Sequence, residues 1–383
     1  RLRLGLACAL ALALGACSSG QRRAGPPAPQ SPSNAIETAP LAAAGDLSRM
    51  GNGAVKIALI APITGSNGVG ASLRNAAELA VAAFDSPAAT LIIKDDRSSP
   101  AGAKAAAQAA VAEGAQLILG PLFAANAREA GAVARAAGRP MIAFSTDPAL
   151  AGNGVYLLAF LTRAYVDRIV DFAAARGRRS MAALIPDNEQ GRIAEAAFMA
   201  AAARNNIRVA AVERVQSDAY ADAAAQRIAN LGAGIDALFI PAPAEAMAGI
   251  AQSLARAGID GGRVQILGTG LWNDARVLKI RNLQGAWFAA PDNAGFAAFA
   301  ASYRERFNAE PARVATLAYD AVALSLALAR EGYTARTIEG ASGFNGMDGV
   351  FRFGPDGLSE RGLAVQMIDR GSTTLVSPAP KSF

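Results

Sequence analysis

The run IALIAPITGSNGVGASLRNAAELAVAAF (residues 57–84) decides the fold of this chain. Its first residues are apolar up to Pro62, as in a strand buried on both faces, and apolar residues after Gly70 recur at helical spacing. The next stretch, IIKDDRSSPAGAKAAAQAAVAEGAQLILGP (92–121), repeats the order strand, helix, strand. Strands that alternate with helices across short links predict a parallel sheet with right-handed crossovers.

The same alternation resumes after a break near residue 160, which predicts a second unit of the same kind. In both units the predicted strands are short apolar runs separated by amphipathic helices. We predict strands at 55–61, 91–94, 116–119 and 140–144 in the first unit, and at 181–185, 209–213, 237–240 and 264–267 in the second. The fold class is therefore α/β, with two doubly wound parallel-sheet lobes.

The last hundred residues do not form a third unit, because they contain one strand, two helices (295–307 and 312–329) and a hairpin. We predict the hairpin between strands 349–353 and 363–368, across the turn Gly354-Pro355-Asp356-Gly357. A tail of this kind implies several chain crossovers between the lobes. The predicted domains are 54–160 plus about 290–335 for lobe 1, and 161–289 plus about 336–383 for lobe 2.

The N-terminal segment has the pattern of a secretory leader. Residues 1–17 combine a positive start with an apolar run and end in Leu14-Gly15-Ala16-Cys17, which resembles a bacterial lipobox. Cys17 is the predicted lipidation site; the alternative is an ordinary signal peptide with an incidental cysteine. Lipoproteins kept in the inner membrane often resemble one another in an aspartate after the lipidated cysteine, so Ser18 at this position favours the outer membrane. Residues 18–53, rich in Pro, Ser, Gly and Ala, are predicted to be a disordered tether. We therefore expect a periplasmic protein held at the membrane by its N-terminal lipid only.

Composition excludes several classes of function. Among 383 residues there is no histidine, and the two cysteines, Cys8 and Cys17, both lie in the leader. Histidine-dependent nucleophiles, histidine metal sites and a disulfide framework are therefore absent from the predicted lobes. The net charge of +6 is scattered rather than clustered, so no nucleic-acid partner is expected. We expect no enzyme activity, no cofactor and no metal site.

Two loops of the first lobe allow more than one interpretation. The segment Gly65–Gly70 follows a strand and precedes a helix, so it could meet a phosphate, but it lacks the lysine of a P-loop. A cleft-edge loop with flexible glycines is the preferred interpretation. Asp95 and Asp96 could form an acid pair, but adjacent strand residues point to opposite faces, which favours a capping or loop-stabilising role.

Three other segments each allow two interpretations. Asp187 or Asn188 suits a helix cap, while Asn188 and Gln190 also suit a cleft wall. Trp272 and Asn273 offer either an exposed stacking face or a core tryptophan. The pair Tyr319-Asp320 is expected to be a satisfied structural pair near the lobe junction rather than a ligand contact.

Several motifs, in order, resemble type I periplasmic binding proteins of the leucine/isoleucine/valine-binding group, over residues 55–370. The first strand ends in Pro62-Ile63-Thr64-Gly65, another ends in Asp95-Asp96, and a third ends in Gly120-Pro121. The closing run Phe344–Phe353 is also similar. The resemblance implies a periplasmic binding protein type I fold with an interlobe cleft, whose two lobes close by a hinge on a small amino-acid-like or peptide ligand.

One segment, Gly120-Pro121-Leu122-Phe123-Ala124-Ala125-Asn126, is similar to penicillin-binding protein activators. Those proteins are outer-membrane lipoproteins that stimulate peptidoglycan synthases. The resemblance implies a non-enzymatic envelope lipoprotein whose partner is a peptidoglycan synthase or another envelope protein. The alternative is the substrate-binding lipoprotein of an amino-acid or branched-chain-type ABC importer.

The chain departs from the transport-type pattern where that group holds a free amino acid. Ala124 and Ala125 replace a hydroxyl that binds the α-carboxylate, and Gly268–Trp272 contains no acid for the α-ammonium. Ser145 and Thr146 match the pattern. The predicted ligand-binding cleft consists of strand-end and loop residues from both lobes: Thr64, Gly65, Ser66, Phe123, Asn126, Ser145, Thr146, Asn188, Gln190, Trp272 and Asn273.

Overall fold

The computed structural model describes residues 48–84, 88–216 and 218–383, and within these it contains three β-sheets. The predicted leader, the lipidation site Cys17 and most of the predicted tether lie outside the described residues. The strands are β1 Arg49–Met50, β2 Val55–Ala61, β3 Ala89–Asp95, β4 Leu117–Leu119, β5 Met141–Ala143, β6 Val155–Leu157, β7 Ser180–Pro186, β8 Arg208–Val215, β9 Ala237–Phe239, β10 Gln265–Gly268, β11 Trp287–Ala290, β12 Phe344–Gly346, β13 Gly349–Phe353, β14 Ser359–Arg361, β15 Ala364–Asp369 and β16 Ser372–Ser377.

Helices connect most of these strands, and four short 3₁₀ turns supplement them at 148–150, 232–234, 270–272 and 281–283. The α-helices are α1 Val69–Ala82, α2 Pro100–Ala112, α3 Ala124–Ala136, α4 Thr162–Ala175, α5 Glu189–Arg204, α6 Asp218–Ala229, α7 Ala244–Arg256, α8 Ala275–Leu278, α9 Asn293–Phe307, α10 Ala315–Leu328 and α11 Ala335–Ile338.

The first lobe is built on a six-stranded sheet in the order β1-β3-β2-β4-β5-β6, parallel except for β1. Its strands are apolar along their length because helices cover both faces. Small alanines of α2 and α3 pack on one face, while α1, α9 and α10 pack on the other. Helix α10 is apolar on all sides, and most of its residues are buried, as expected for a helix enclosed in a core.

The second lobe is built on a seven-stranded sheet in the order β16-β15-β11-β10-β9-β7-β8. The five central and edge strands from β11 to β8 are parallel, and β15 and β16 are antiparallel additions. Helices α4 and α5 cover one face, and α6 and α7 cover the other. The two doubly wound α/β lobes agree with the predicted fold class, and the chain passes between them after β6, β11 and β14.

The structure differs from the prediction in three places. Strand β13 forms its hairpin with the polar strand β14, whereas β15 pairs with β11 in the second-lobe sheet, so the predicted 349–353/363–368 hairpin is wrong. Phe351 and Phe353 belong to the first-lobe core, so residues 336–361 pack with lobe 1 rather than lobe 2. The described chain is also ordered before residue 53, because β1 pairs with β3 and buries Met50.

Candidate functional site

A cavity of about 610 Å³ opens between the two lobes. Its first-lobe wall follows the carboxyl ends of β4 and β5, where ligands of open parallel sheets bind. Its second-lobe wall is the first turn of α5, and α10 and the segment after β6 close it from behind. The lining residues are Leu122, Phe123, Ala124, Phe144, Ser145, Thr146, Asp147, Ala159, Phe160, Glu189, Gln190, Ile193, Val314 and Leu317.

The first-lobe wall offers hydrogen-bond donors suited to an anion. Helix α3 starts at this wall, and Phe123 in front of it supplies no side-chain cap, so the first backbone N–H groups of the helix are left free. Ser145 is buried beside them, and its Oγ accepts a hydrogen bond from the Asp147 N–H at 3.1 Å. The Ser145 hydroxyl hydrogen has no acceptor among the described residues, so it is available to a ligand oxygen.

The two acids that line the cavity are already engaged. Asp147 accepts from the Ala149 N–H at 3.0 Å and pairs with Arg128 at 3.3 Å. Glu189 pairs with Arg192 on the next turn of α5. Each pair lies within one lobe, so a cationic group of a ligand would have to compete with an exposed arginine for either carboxylate. The rest of the wall is mostly apolar.

Four of the predicted cleft residues line this cavity: Phe123, Ser145, Thr146 and Gln190. Asn188 lies next to the cavity as the cap of α5, where its Oδ1 accepts from the Gly191 N–H at 2.8 Å. Thr162 Oγ1 lies 3.5 Å from Gln190 Oε1, so Gln190 is near the start of α4.

The predicted residues of the loop after β2 hold that loop rather than line the cavity. Thr64 donates from Oγ1 to Asp95 Oδ2 at 2.8 Å. Ser66 Oγ accepts from the Gly70 N–H at 2.9 Å, which fixes the entry into α1. Gly65 has a φ of +81°, a conformation that favours glycine. These contacts correspond to the loop-stabilising interpretation of Asp95.

Asn126 and Trp272 also lie away from the cavity wall. Asn126 is buried, and its Nδ2 donates to the buried Asp96 at 2.9 Å. Trp272 is fully buried in the second-lobe core against Gly268, where a Cβ would lie 2.3 Å from the indole ring. The core interpretation of Trp272 therefore replaces the cleft-wall one. Asn273 donates to Asn293 at 2.9 Å instead of lining the cavity.

Sequence reasoning missed the apolar part of the wall. Phe144 and Phe160 are aromatic residues at a strand end and at the predicted break, which was an available signal. Val314 and Leu317 come from the start of a helix that is apolar throughout, so no pattern distinguished them from core residues.

A charged cluster that is buried except for Arg313 lies against Phe160. The Phe160 ring centroid is 4.7 Å from the Arg313 guanidinium carbon and 5.3 Å from that of Arg361. Arg313 pairs with the buried Asp348 at 3.0 Å through Nη1. Asp320 is less well paired, because its Oδ1 accepts from the Met347 N–H at 2.8 Å but its Oδ2 lies 3.7 Å from Arg361.

Burial sets the protonation of this cluster. Desolvation raises the pKa of the Asp320 carboxyl to about 7, although Arg361 opposes the rise. Burial also raises the pKa of Tyr165, which faces Arg361, to about 12. Asp320 is therefore not the satisfied structural pair that the sequence predicted.

Within the described residues, no group of three or more acidic, histidine or cysteine side chains is placed to bind a metal ion. A search of the same residues for a helix that is both long and apolar enough to span a membrane finds none.

Comparisons with known proteins agree with this architecture. The model of the periplasmic binding protein family matches residues 54–373. No curated protein matches the chain. A provisionally assigned branched-chain amino acid ABC transporter from Rhodospirillum rubrum is 18% identical, with 84% of this chain and 100% of that chain covered and a TM-score of 0.74.

Two solved structures with ligands have a similar fold. A substrate-binding protein from Desulfitobacterium hafniense in complex with Leu is 18% identical, covers 84% of this chain and 99% of that chain, and has a TM-score of 0.63. A solute-binding protein from Rhodopseudomonas palustris in complex with 3,4-dihydroxybenzoic acid is 23% identical, covers 86% and 97%, and has a TM-score of 0.59. Identities this low establish the fold alone.

Proposed function

This chain belongs to the periplasmic binding protein family, and we propose that it is the solute receptor of an ABC-type importer rather than an enzyme. The observation that carries the proposal is the interlobe cavity, whose polar donors face an apolar wall at the carboxyl ends of β4 and β5. A ligand held between the lobes would favour a closed arrangement, which is the change that a permease partner recognises.

We propose that the ligand is a small carboxylate with an apolar body. The free N–H groups of α3 and the Ser145 hydroxyl suit a carboxylate, and Phe144, Phe160 and Leu317 suit an aliphatic or aromatic body. Both ligands in the related complexes, leucine and 3,4-dihydroxybenzoic acid, carry a carboxylate beside an apolar part. An α-ammonium group would have to compete with Arg128 or Arg192 for the carboxylate of Asp147 or Glu189.

The test is a ligand screen of the soluble two-lobed chain by thermal shift, followed by calorimetry with benzoate and 4-methylpentanoate. We expect sub-millimolar dissociation constants. Ser145→Ala should weaken binding about tenfold, since it removes one hydrogen bond to a charged group. Ser325→Ala is the matched control, because Ser325 is equally buried but donates within α10, to Val322 at 2.7 Å. Unchanged affinity in Ser145→Ala would contradict the assignment of the carboxylate site.

A regulator of peptidoglycan synthesis is the second candidate, and it depends on the segment 120–126. Two residues of that segment have packing roles. A Cβ on Gly120 would lie 2.0 Å from the Ile60 carbonyl oxygen, and Asn126 holds the buried Asp96. Packing within the first lobe therefore explains Gly120 and Asn126 without contact with a peptidoglycan synthase. The comparisons with known proteins also favour the importer. Ligand-dependent capture of a permease would support the importer, whereas capture of a peptidoglycan synthase would support the regulator.

We further propose that the protein is held in the periplasm by a lipid on Cys17; the outer membrane, which Ser18 favours, suits the regulator, whereas an importer receptor would need to reach its permease across the tether. The support is the apolar run that ends in Leu14-Gly15-Ala16-Cys17. In cells, Cys17→Ser should release the protein from the membrane fraction or block its processing, while Cys8→Ser should change neither. A Cys17→Ser protein that remains acylated and membrane-bound would refute the anchor.

A further inference from the structure

Three connections join the two lobes, and each exchanges first-lobe contacts for second-lobe contacts over a short stretch. In the first connection, Phe160 packs on the first-lobe core, whereas Thr162 begins the second-lobe helix α4. The Thr162 Oγ1 lies 3.5 Å from Gln190 Oε1 of α5, which is also in the second lobe. The change of lobe therefore falls at Leu161.

The second connection follows β11 and changes lobe at the start of α9. Asn293 Oδ1 accepts from Asn273 Nδ2 of the second lobe at 2.9 Å. Gly295 already lies against the first lobe, since a Cβ on it would be 1.8 Å from the Met347 carbonyl oxygen. The change therefore falls at Ala294.

The third connection follows β14 and changes lobe across one peptide bond. The Gly362 N–H donates to the Val350 carbonyl of β13 at 2.8 Å. The next carbonyl, that of Leu363, accepts from Arg168 Nε of α4 at 2.7 Å. Gly362 therefore belongs to the first-lobe side and Leu363 to the second-lobe side.

The three-stranded sheet β12-β13-β14 contacts the first-lobe side of all three connections. Met347, in the turn between β12 and β13, meets the second connection, and Val350 of β13 holds the third. Arg361 of β14 meets the first, because its guanidinium carbon lies 5.3 Å from the Phe160 ring centroid. This small sheet is therefore the common base of the connections.

Arg313 joins two of the connections to this base. Its guanidinium carbon lies 4.7 Å from the Phe160 ring centroid and 4.5 Å from that of Phe296, in the first turn of α9. Both of its terminal nitrogens donate to the fully buried Asp348, Nη1 at 3.0 Å, and the Thr316 hydroxyl donates to the same carboxylate. A planar guanidinium held by two bonds has a fixed orientation, so the contacts with both rings are fixed as well.

We propose that Arg313 is the positioning residue of the hinge. It holds Phe160 and Phe296 to the three-stranded sheet, so that the lobes rotate only where the three connections change lobe. Phe160 also lines the cleft cavity, and a ligand there contacts a ring that Arg313 keeps in place. This role of Arg313 rests on the proposed function for its purpose, the capture of a ligand, but not for the rotation itself.

The test measures the distance between the lobes without ligand, by pulsed electron paramagnetic resonance between two spin labels. Ala105→Cys on α2 and Ala196→Cys on α5 place the labels at exposed positions of the two lobes. The chain's own cysteines, Cys8 and Cys17, are replaced by serine, so that the two introduced thiols alone react with the label.

Arg313→Lys keeps a positive charge beside Asp348 but removes the planar group that contacts the two rings. We expect it to broaden the distance distribution about twofold. Phe296→Leu removes one ring and leaves the ion pair intact, so it should broaden the distribution as well, whereas Phe296→Tyr keeps a ring and should not. Phe307→Leu is the matched control, because Phe307 is also partly buried in α9 and lies 5.9 Å from the Arg306 guanidinium, at the opposite end of the helix from the connection.

Calorimetry with benzoate and 4-methylpentanoate gives a second readout. Wider sampling of open arrangements lowers the fraction of Arg313→Lys that is able to bind, so Kd should rise about two- to tenfold. Absence of binding by the unmodified chain would contradict the proposed ligand, while the distances measured without ligand would still decide the role of Arg313.

The distance distribution separates a hinge role from a purely structural one, which would lower Tm and leave the distribution unchanged. The inference is overturned if Arg313→Lys and Phe296→Leu both fold and keep the distribution of the unmodified chain. It is equally overturned if Phe307→Leu broadens the distribution as much as they do. Where Arg313→Lys does not fold, the comparison of Phe296→Leu with Phe296→Tyr decides.

Discussion

Asn126 shows how a polar residue at a strand end can serve the fold rather than a ligand. Its amide is buried at the start of α3 and donates to Asp96, a fully buried carboxylate that also accepts from the Ser98 N–H at 2.8 Å. Burial raises the pKa of Asp96, and these hydrogen bonds oppose the rise. Asn126 therefore links the ends of β3 and β4.

We predict that Asn126→Ala lowers the free energy of unfolding by about 1.5–3 kcal/mol, because it leaves a buried carboxylate short of a donor. Urea unfolding at pH 7 measures this change. Asn345→Ala, at an exposed position of β12, should shift the same quantity by less than about 0.5 kcal/mol. Equal stability of the two variants would mean that Asp96 does not depend on Asn126.

Asp320 predicts a pH dependence of stability. Its pKa is raised to about 7 in the folded chain from an ordinary value of 3.8, so between these limits the folded state binds a proton that the unfolded state releases. The contribution of Asp320 to stability is therefore greatest below about pH 4 and is lost as the pH rises to about 7.

We expect Asp320→Asn to remove this contribution to the slope of the unfolding free energy against pH, a change of at most about 1.4 kcal/mol per pH unit. Unfolding free energies measured from pH 5 to 8 for both proteins would show it as a shallower decline in the variant. Parallel curves for the two proteins would show that Asp320 keeps an ordinary pKa.

At the scale of elements, the entry into α1 depends on a close backbone contact. A Cβ on Gly70 would lie 1.9 Å from the Pro62 carbonyl oxygen, so the helix begins directly against the end of β2. Gly131 in α3 is different, since the atom nearest to its Cβ position is the flexible end of Met141 at 3.1 Å.

We predict that Gly70→Ala destabilises the chain by about 1–3 kcal/mol despite the better helix propensity of alanine. Gly131→Ala should change stability by less than about 1 kcal/mol, because Met141 can shift and the helix gains propensity. Thermal or urea unfolding of the two variants compares them directly. A neutral Gly70→Ala would show that the loop before α1 moves without cost.

The sequence predicts elements well where one segment carries its own pattern. The strand Val55–Ala61 has the bounds expected from its apolar run, and α9 begins within two residues of the predicted helix 295–307 and ends with it. The hairpin failed because β14, with Ser359-Glu360-Arg361, has no apolar pattern, while β15 does. The apolar pattern of β15 does not reveal that it pairs with β11, which lies far away in sequence.

At the scale of the whole molecule, the site combines local and distant features. Ser145 follows strand β5 and Gln190 lies in the first turn of α5. The sequence locates both elements, so both residues could be predicted to line the cavity. The wall formed by Phe160, Val314 and Leu317 depends on the return of the chain after β11, which places α10 behind the cleft. Thr64 and Ser66 are polar and at a strand end, but the sequence cannot show that their hydrogen bonds are satisfied within the loop.

The ion pairs of the two cleft acids, Asp147 and Glu189, predict which ligands the cavity between the lobes accepts. Leucine and 4-methylpentanoate share one apolar body and one carboxylate, and differ in the α-ammonium group. Desolvating that group without a free acid costs about 1.5–3 kcal/mol, since Asp147 and Glu189 are paired with Arg128 and Arg192. We therefore expect calorimetry to show 4-methylpentanoate binding about 10- to 100-fold more tightly than leucine, with leucine, isoleucine and valine at millimolar affinity or undetected. Micromolar binding of any of these three amino acids would show that one of the acids leaves its arginine when the lobes close.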